Sequence, residues 1–221
     1  MEDWILKPDL RADWISLVFF INILFILLMY RLDSRRFLGL LNLFKMHQYF
    51  GKYAHEKELN YLSYFNILSL FLIASSLAMA YFSISEYLLH TFHFGFEFLL
   101  LLMGLIILFP IRFYTIQFIA KQLGFLAPLT PLLYKNFTYA TQLAIYLTAV
   151  LIFKNYSIFP IIFFDFLIIF LFLLWVYQQF RIIFPFLKTH LRDGFYIILY
   201  LCTFKIAPWF WIYFLCIETQ M

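Results

Sequence analysis

The chain has 221 residues, of which 65% are hydrophobic and only 13% charged, with a formal charge of +4 and a mean hydropathy of +0.89. An ordinary soluble domain is about 45–50% apolar and about 25% charged, so this chain has too little polar surface to cover itself in water. At about 20 apolar residues per crossing of a bilayer, it has room for six or seven crossings and none for a second, soluble domain.

In chain order, the first apolar run covers residues 14–30. The residues before it do not form a basic n-region, and Arg31 follows it where a signal peptide would have small residues and a cleavage site. The run is therefore expected to be a membrane helix. Residues 31–60 form the only long polar stretch. Within it, Phe37, Leu40, Leu41 and Phe44 recur at helical spacing among Arg35, Arg36, Lys45 and Lys52. That pattern predicts an amphipathic segment, either lying on a leaflet with its cations on anionic headgroups or packing on the base of the bundle. Further spans are expected at residues 61–84, 96–120, 132–153, 157–180 and 194–216. Pro110 should kink the third span, and a Pro- and Gly-containing link over 123–131 separates it from the fourth.

The fold class expected is an all-α integral membrane protein, a single six-helix transmembrane domain. Twelve basic residues fall on one side of these spans and three on the other, while Lys205 falls inside the last. The positive-inside rule puts the twelve in the cytoplasm and both termini outside. Trp14, Trp209 and Trp211 near the outer boundary and Trp175 near the inner one fit an aromatic belt. This distribution of cations sets orientation rather than forming a nucleic-acid groove. Cys202 and Cys216 lie about 21 Å apart on one helix, too far for a disulfide.

Three constellations could carry chemistry. Glu86, His90, His93 and Glu97 fall within about 60° of arc if one helix holds them all. Two imidazoles flanked by carboxylates have the donor set for a transition metal, the one cofactor the sequence suggests, or for proton transfer. The alternative is an outer loop whose polar side chains are simply hydrated. Asp165 and Lys205 both fall near mid-membrane, about 12 and 16 Å from the outer side. A lone charge there is costly, so the two are expected to pair, as a register-fixing ion pair or as a proton or ion relay. Arg112 can snorkel to the interface or turn inward towards an anionic headgroup or substrate, and Arg35 and Arg36 are further candidates for headgroup contact. Asn22, Asn66, Gln117, Thr138, Thr141 and Gln142 are expected to hydrogen-bond between helices.

The stretch 194–209, with Leu199-Tyr200-Leu201-Cys202 followed by Ile206 and Pro208, resembles the close of a family of uncharacterised bacteroidete inner-membrane proteins, whose pattern is LYLC-x-x-E-I-x-P. Lys205 stands where that pattern has its acidic residue. The resemblance implies a multi-pass inner-membrane protein and, by analogy, an envelope function such as secretion or gliding machinery. No nucleotide-binding loop, nucleophile elbow or metalloprotease motif occurs. The function expected is therefore that of a non-enzymatic membrane subunit or assembly factor of a cell-envelope complex, with lipid and other envelope proteins as partners. A small membrane enzyme or an ion-coupled carrier using one of the charged constellations is the alternative.

Overall fold

A computed structural model describes residues 12–42, 49–50, 63–89, 96–122, 126–157 and 159–189. These residues form six helices: α1 (Ala12–Leu32), α2 (Ser34–Leu41), α3 (Tyr64–Leu89), α4 (Phe96–Gln122), α5 (Leu126–Tyr156) and α6 (Ile161–Thr189). All but α2 are long and apolar enough to cross a membrane, which makes this a multi-pass membrane protein. The sixth expected span, 194–216, lies outside the described residues.

Hydrogen bonds and ring contacts set the order of the helices. Ser16 at the start of α1 meets the Tyr156 hydroxyl at the end of α5, and Trp14 packs on Phe82 of α3 and Phe98 of α4. Further along, Ser75 of α3 donates to Asn22 of α1 at 2.5 Å. Consecutive long helices thus run antiparallel. One end of the bundle is marked by Arg36 and the other by Lys154. The spans of α3 and α5 are 61% and 56% buried, against 17% for α1, 6% for α4 and 17% for α6. α3 and α5 are therefore the centre, α1 and α4 flank α3, and α6 flanks α5.

The polar residues of this centre are small or amide side chains, as helix packing in lipid favours. Their partners differ from those expected at some positions. Asn22 and Gln142 do bond between elements. Thr138 and Thr141 instead donate to carbonyls one turn back on their own helix, at 2.9 and 3.0 Å. A Thr hydroxyl reaches the i−4 carbonyl without leaving its own helix, which satisfies it locally.

Two boundaries differ from the hydropathy reading. α5 begins at Leu126, inside the expected link, so Pro128 and Pro131 are helical. Pro128 is tolerated as the third residue, because the N–H it lacks would have had no helical acceptor, whereas Pro131 is the sixth and leaves the Ala127 carbonyl without its helical donor. α6 runs on to Thr189, nine residues past its expected end at 180, and carries Arg181 on its exposed side.

The polar stretch after α1 does hold a helix, and the bundle takes its apolar face. Phe37 and Leu40 are buried with Met29, Phe65, Leu72 and Tyr134, so the segment packs on the base of the bundle. Phe44 lies outside the described residues. An isolated eight-residue helix is unstable in water, and this one is held at both ends. Asp33 caps its start, its carboxylate accepting the Arg36 N–H at 2.9 Å. At its end, Gln142 Nε2 donates to the Leu40 carbonyl at 2.8 Å and the Tyr146 hydroxyl to the Leu41 carbonyl at 2.6 Å. Side chains of α5 thus satisfy carbonyls that a helix terminus leaves open.

Candidate functional site

The clamp on α2 centres on Arg36. It lies one residue before the buried Phe37, so helical geometry turns it towards α3 and α5 while Arg35 and Leu38 stay exposed. Its Nη2 donates to Asn66 Oδ1 at 2.9 Å and to the Tyr134 hydroxyl at 3.3 Å, and its Nε donates to the Tyr49 hydroxyl at 3.3 Å. The two tyrosine hydroxyls stand 3.4 Å apart. The guanidinium carbon lies 4.3 Å from the centre of the Phe65 ring, a cation–π distance. Four segments of the chain thus meet at one cation. Among the described residues no carboxylate pairs with the Arg36 side chain.

Arg36 was expected to reach for headgroups, and its hydrogen bonds go to the protein instead. The reason is geometric. With Phe37 and Leu40 committed to the core, the helix leaves Arg36 at the margin of the buried face, within reach of a preformed set of neutral oxygens. Burial alone would lower its pKa, but the two tyrosine oxygens outweigh that and the net direction is upwards, so the charge is kept. Burial pushes the Tyr49 hydroxyl well above the usual phenol range, with Tyr134 adding to the shift and Arg36 opposing it. Tyr49 therefore serves as a neutral hydroxyl. Its ring also lies against Gly39, where a Cβ would come within 2.7 Å of Tyr49 Cδ2. A larger residue at 39 would push Tyr49 away from the guanidinium.

Asn66 links this clamp to a second feature. A cavity of about 220 Å3 lies between α3, α4, α5 and α6, and among the described residues Asn66, Arg112, Tyr114 and Asn136 bring polar groups to its lining. The remaining lining is aliphatic and aromatic, including Leu70, Leu77, Phe113 and Phe172, together with Pro110 and Trp175. Arg112 is thus among the residues that border this cavity.

At the opposite end, Lys154 Nζ stands 2.6 Å from Asp165 Oδ1. Lys154 is in the last turn of α5 and Asp165 is the fifth residue of α6, so the pair closes the turn between them. Hydropathy had Asp165 near mid-membrane. Because α6 starts at Ile161 and not at 157, the carboxylate lies only about 6 Å along the axis from the helix start. The expected partner, Lys205, lies outside the described residues. Lys154 was missed because it was read only as a loop cation. The signal available was a Lys closing one apolar run and an Asp one turn into the next.

Of the Glu86, His90, His93 and Glu97 constellation, Glu86 is on α3 and Glu97 on α4, while His90 and His93 lie outside the described residues. Arg35 is exposed beside the clamp.

Compared with family models, with curated proteins and with solved structures, the chain matches none.

Proposed function

We propose that the protein is a non-enzymatic integral membrane subunit or assembly factor of a bacterial cell-envelope complex, with α2 as the element it presents to a partner. It crosses the inner membrane six times with both termini outside, and its Arg36 end lies in the cytoplasm. The distribution of basic residues supports this orientation, and the resemblance of residues 194–209 supports the envelope setting.

One observation carries the reading, the clamp on α2. Hydrogen bonds from Arg36 and to the carbonyls of Leu40 and Leu41 fix a short basic helix against the bundle. Fixing it leaves Arg35 and Leu38 exposed in one orientation. A contact element held this way spares the ordering entropy that a mobile segment loses on binding. In the Lys154–Asp165 pair the lysine is largely buried and the carboxylate partly exposed, with side-chain accessibilities of 11% and 37%.

The test places a photo-crosslinking residue at Leu38, with Phe166 on the exposed side of α6 as a control, in native membranes. A discrete protein adduct at 38, absent at 166 and lost when Arg36→Leu is added, is the expected result. Lipid adducts alone at both positions would overturn the reading.

A further inference from the structure

We infer that Lys135 and Tyr139 of α5 and Arg181 of α6 form a seat for the phosphate of an anionic phospholipid, in the seam between the two helices at the Arg36 end of the bundle. This goes beyond the proposed contact role of α2 and does not depend on it.

The register of α5 against α6 brings the three residues together. Lys154 pairs with Asp165, and Leu147, Leu151, Ile168 and Phe172 share one apolar cluster. One antiparallel register fits all of these, with 154 beside 165, 151 beside 168 and 147 beside 172. Continued towards the Arg36 end, it sets Arg181 level with residue 138 of α5. Lys135 lies about 4.5 Å along the axis from that level, and Lys135 and Tyr139 are i and i+4 on one face of α5. The Arg181 charge acts on the Tyr139 hydroxyl. Phe50 packs between the other two, its ring centre 5.3 Å from that of Tyr139 and 5.6 Å from Lys135 Nζ.

The set consists of donors. An ammonium, a guanidinium and a phenol all offer hydrogens, and the oxygens of a phosphate accept from each. The Tyr139 ring is buried, with 6% exposure, while its hydroxyl is only half-buried and has no hydrogen-bond partner among the described residues. A tyrosine hydroxyl in such a place usually finds an acceptor, and a phosphate oxygen supplies one. Among the described residues no carboxylate pairs with Lys135 or Arg181.

Depth and flanks make the phosphate a lipid's. The apolar part of α6 is Ile162–Ile182, so Arg181 stands where hydrocarbon gives way to headgroups. Lys135 lies within the α5 span Thr130–Tyr156, near its start, and its long stem can carry the ammonium to the same boundary. Tyr177 lies one turn from Arg181 on the same face of α6 and is exposed, as are Phe180 and Phe184. An exposed aromatic face in this zone borders lipid. A soluble acidic peptide would gain nothing from that face.

Native mass spectrometry of the full chain reads the seat directly. The protein is released from micelles that hold phosphatidylglycerol and phosphatidylcholine of identical chains at equal low concentration. The parent is expected to retain one phosphatidylglycerol with roughly thirty-fold preference, equivalent to about 2 kcal/mol, the size of two cation–headgroup contacts. Arg181→Gln and Lys135→Gln should each lower the preference to roughly five-fold, and the two together to near unity. Arg181→Lys and Lys135→Arg should keep most of it, which separates lost charge from lost fold. Tyr139→Phe should weaken both lipids alike, because both carry a phosphate. Arg35→Gln, which removes an exposed cation at the same end, should leave the preference unchanged. Equal retention of the two lipids by the parent would overturn the proposal, as would a double variant that keeps the preference or an Arg35→Gln loss as large as that of Arg181→Gln. Displacement of the lipid by inorganic phosphate at constant ionic strength would give the seat to a soluble anion. An acidic protein retained in place of lipid would give it to a protein partner. Either result overturns the assignment to phospholipid. Gel filtration and helical content confirm that each variant compared is folded.

Discussion

The two ends of the bundle handle charge in opposite ways. At one end a single cation, Arg36, is met by neutral oxygens from Asn66, Tyr49 and Tyr134 and by the face of Phe65. At the other end Lys154 meets a full opposite charge on Asp165 across a short turn. The first arrangement joins residues 13, 30 and 98 positions apart, and the second joins residues only 11 apart. A network of neutral partners around a charge depends on each member being in place. In the second, the partly exposed Asp165 carboxylate can turn to water, and a pair of this kind typically contributes little. The Arg36 end should therefore be far more sensitive to substitution than the Lys154 end.

The largest effect is expected at Arg36 itself. Arg36→Leu removes three charge-assisted hydrogen bonds and the Phe65 contact, and should cost about 3 kcal/mol in reversible unfolding from mixed micelles. Arg36→Lys keeps the charge but not the planar fork, and should recover less than half of that loss.

Gly39→Ala comes next. The added methyl cannot share space with the Tyr49 ring, so the ring must shift, at a cost of about 1–3 kcal/mol. If Tyr49 is the point of strain, Gly39→Ala combined with Tyr49→Ala should be less damaging than the sum of the two single changes.

A smaller effect should appear with pH. The Tyr49 pKa is raised in the fold, mainly by burial. The unfolded chain therefore ionises first, at about pH 10. Stability is fully present below that pH and declines above it, because the unfolded state alone loses its proton. Tyr49→Phe should flatten the loss of stability measured between about pH 9 and 11.

The smallest loss is expected from Asp165→Asn, about 0.5–1 kcal/mol and less in high salt. The same variant decides which lysine the carboxylate depends on. In a double-mutant cycle, coupling to Lys154→Met and none to Lys205→Met is expected. Coupling to Lys205 as large as that to Lys154 would mean that both cations share the carboxylate.

These contrasts bear on what the sequence could reveal. The five described spans and the helix within the basic stretch were legible because length, hydropathy and a 3.6-residue stripe are local properties. Azimuth was not. Helices such as α3 and α5 are apolar nearly all round, so hydropathy does not say which side meets the protein. The inward turn of Arg36 follows from contacts between α2, α3 and α5 that no single window contains. Asn66 and Tyr134 carried no signal as its partners for the same reason. Arg112 has two orientations open in the sequence because a helix fixes the direction of its side chains only through what it packs against. Lys154–Asp165 was legible in principle, since a Lys before a short turn and an Asp one turn after it are neighbours. It was hidden by placing the start of α6 four residues too early.

Hydrogen–deuterium exchange of the α2 amides, residues 34–41, in lipid nanodiscs is the most direct measurement of the clamp. Exchange should be slow in the parent protein and much faster in Arg36→Leu, while the central turns of α3 and α5 stay protected in both. A helix held by lipid alone would be as well protected, or better, once its buried cation became leucine. Unchanged or slower exchange in that variant would contradict a clamped α2.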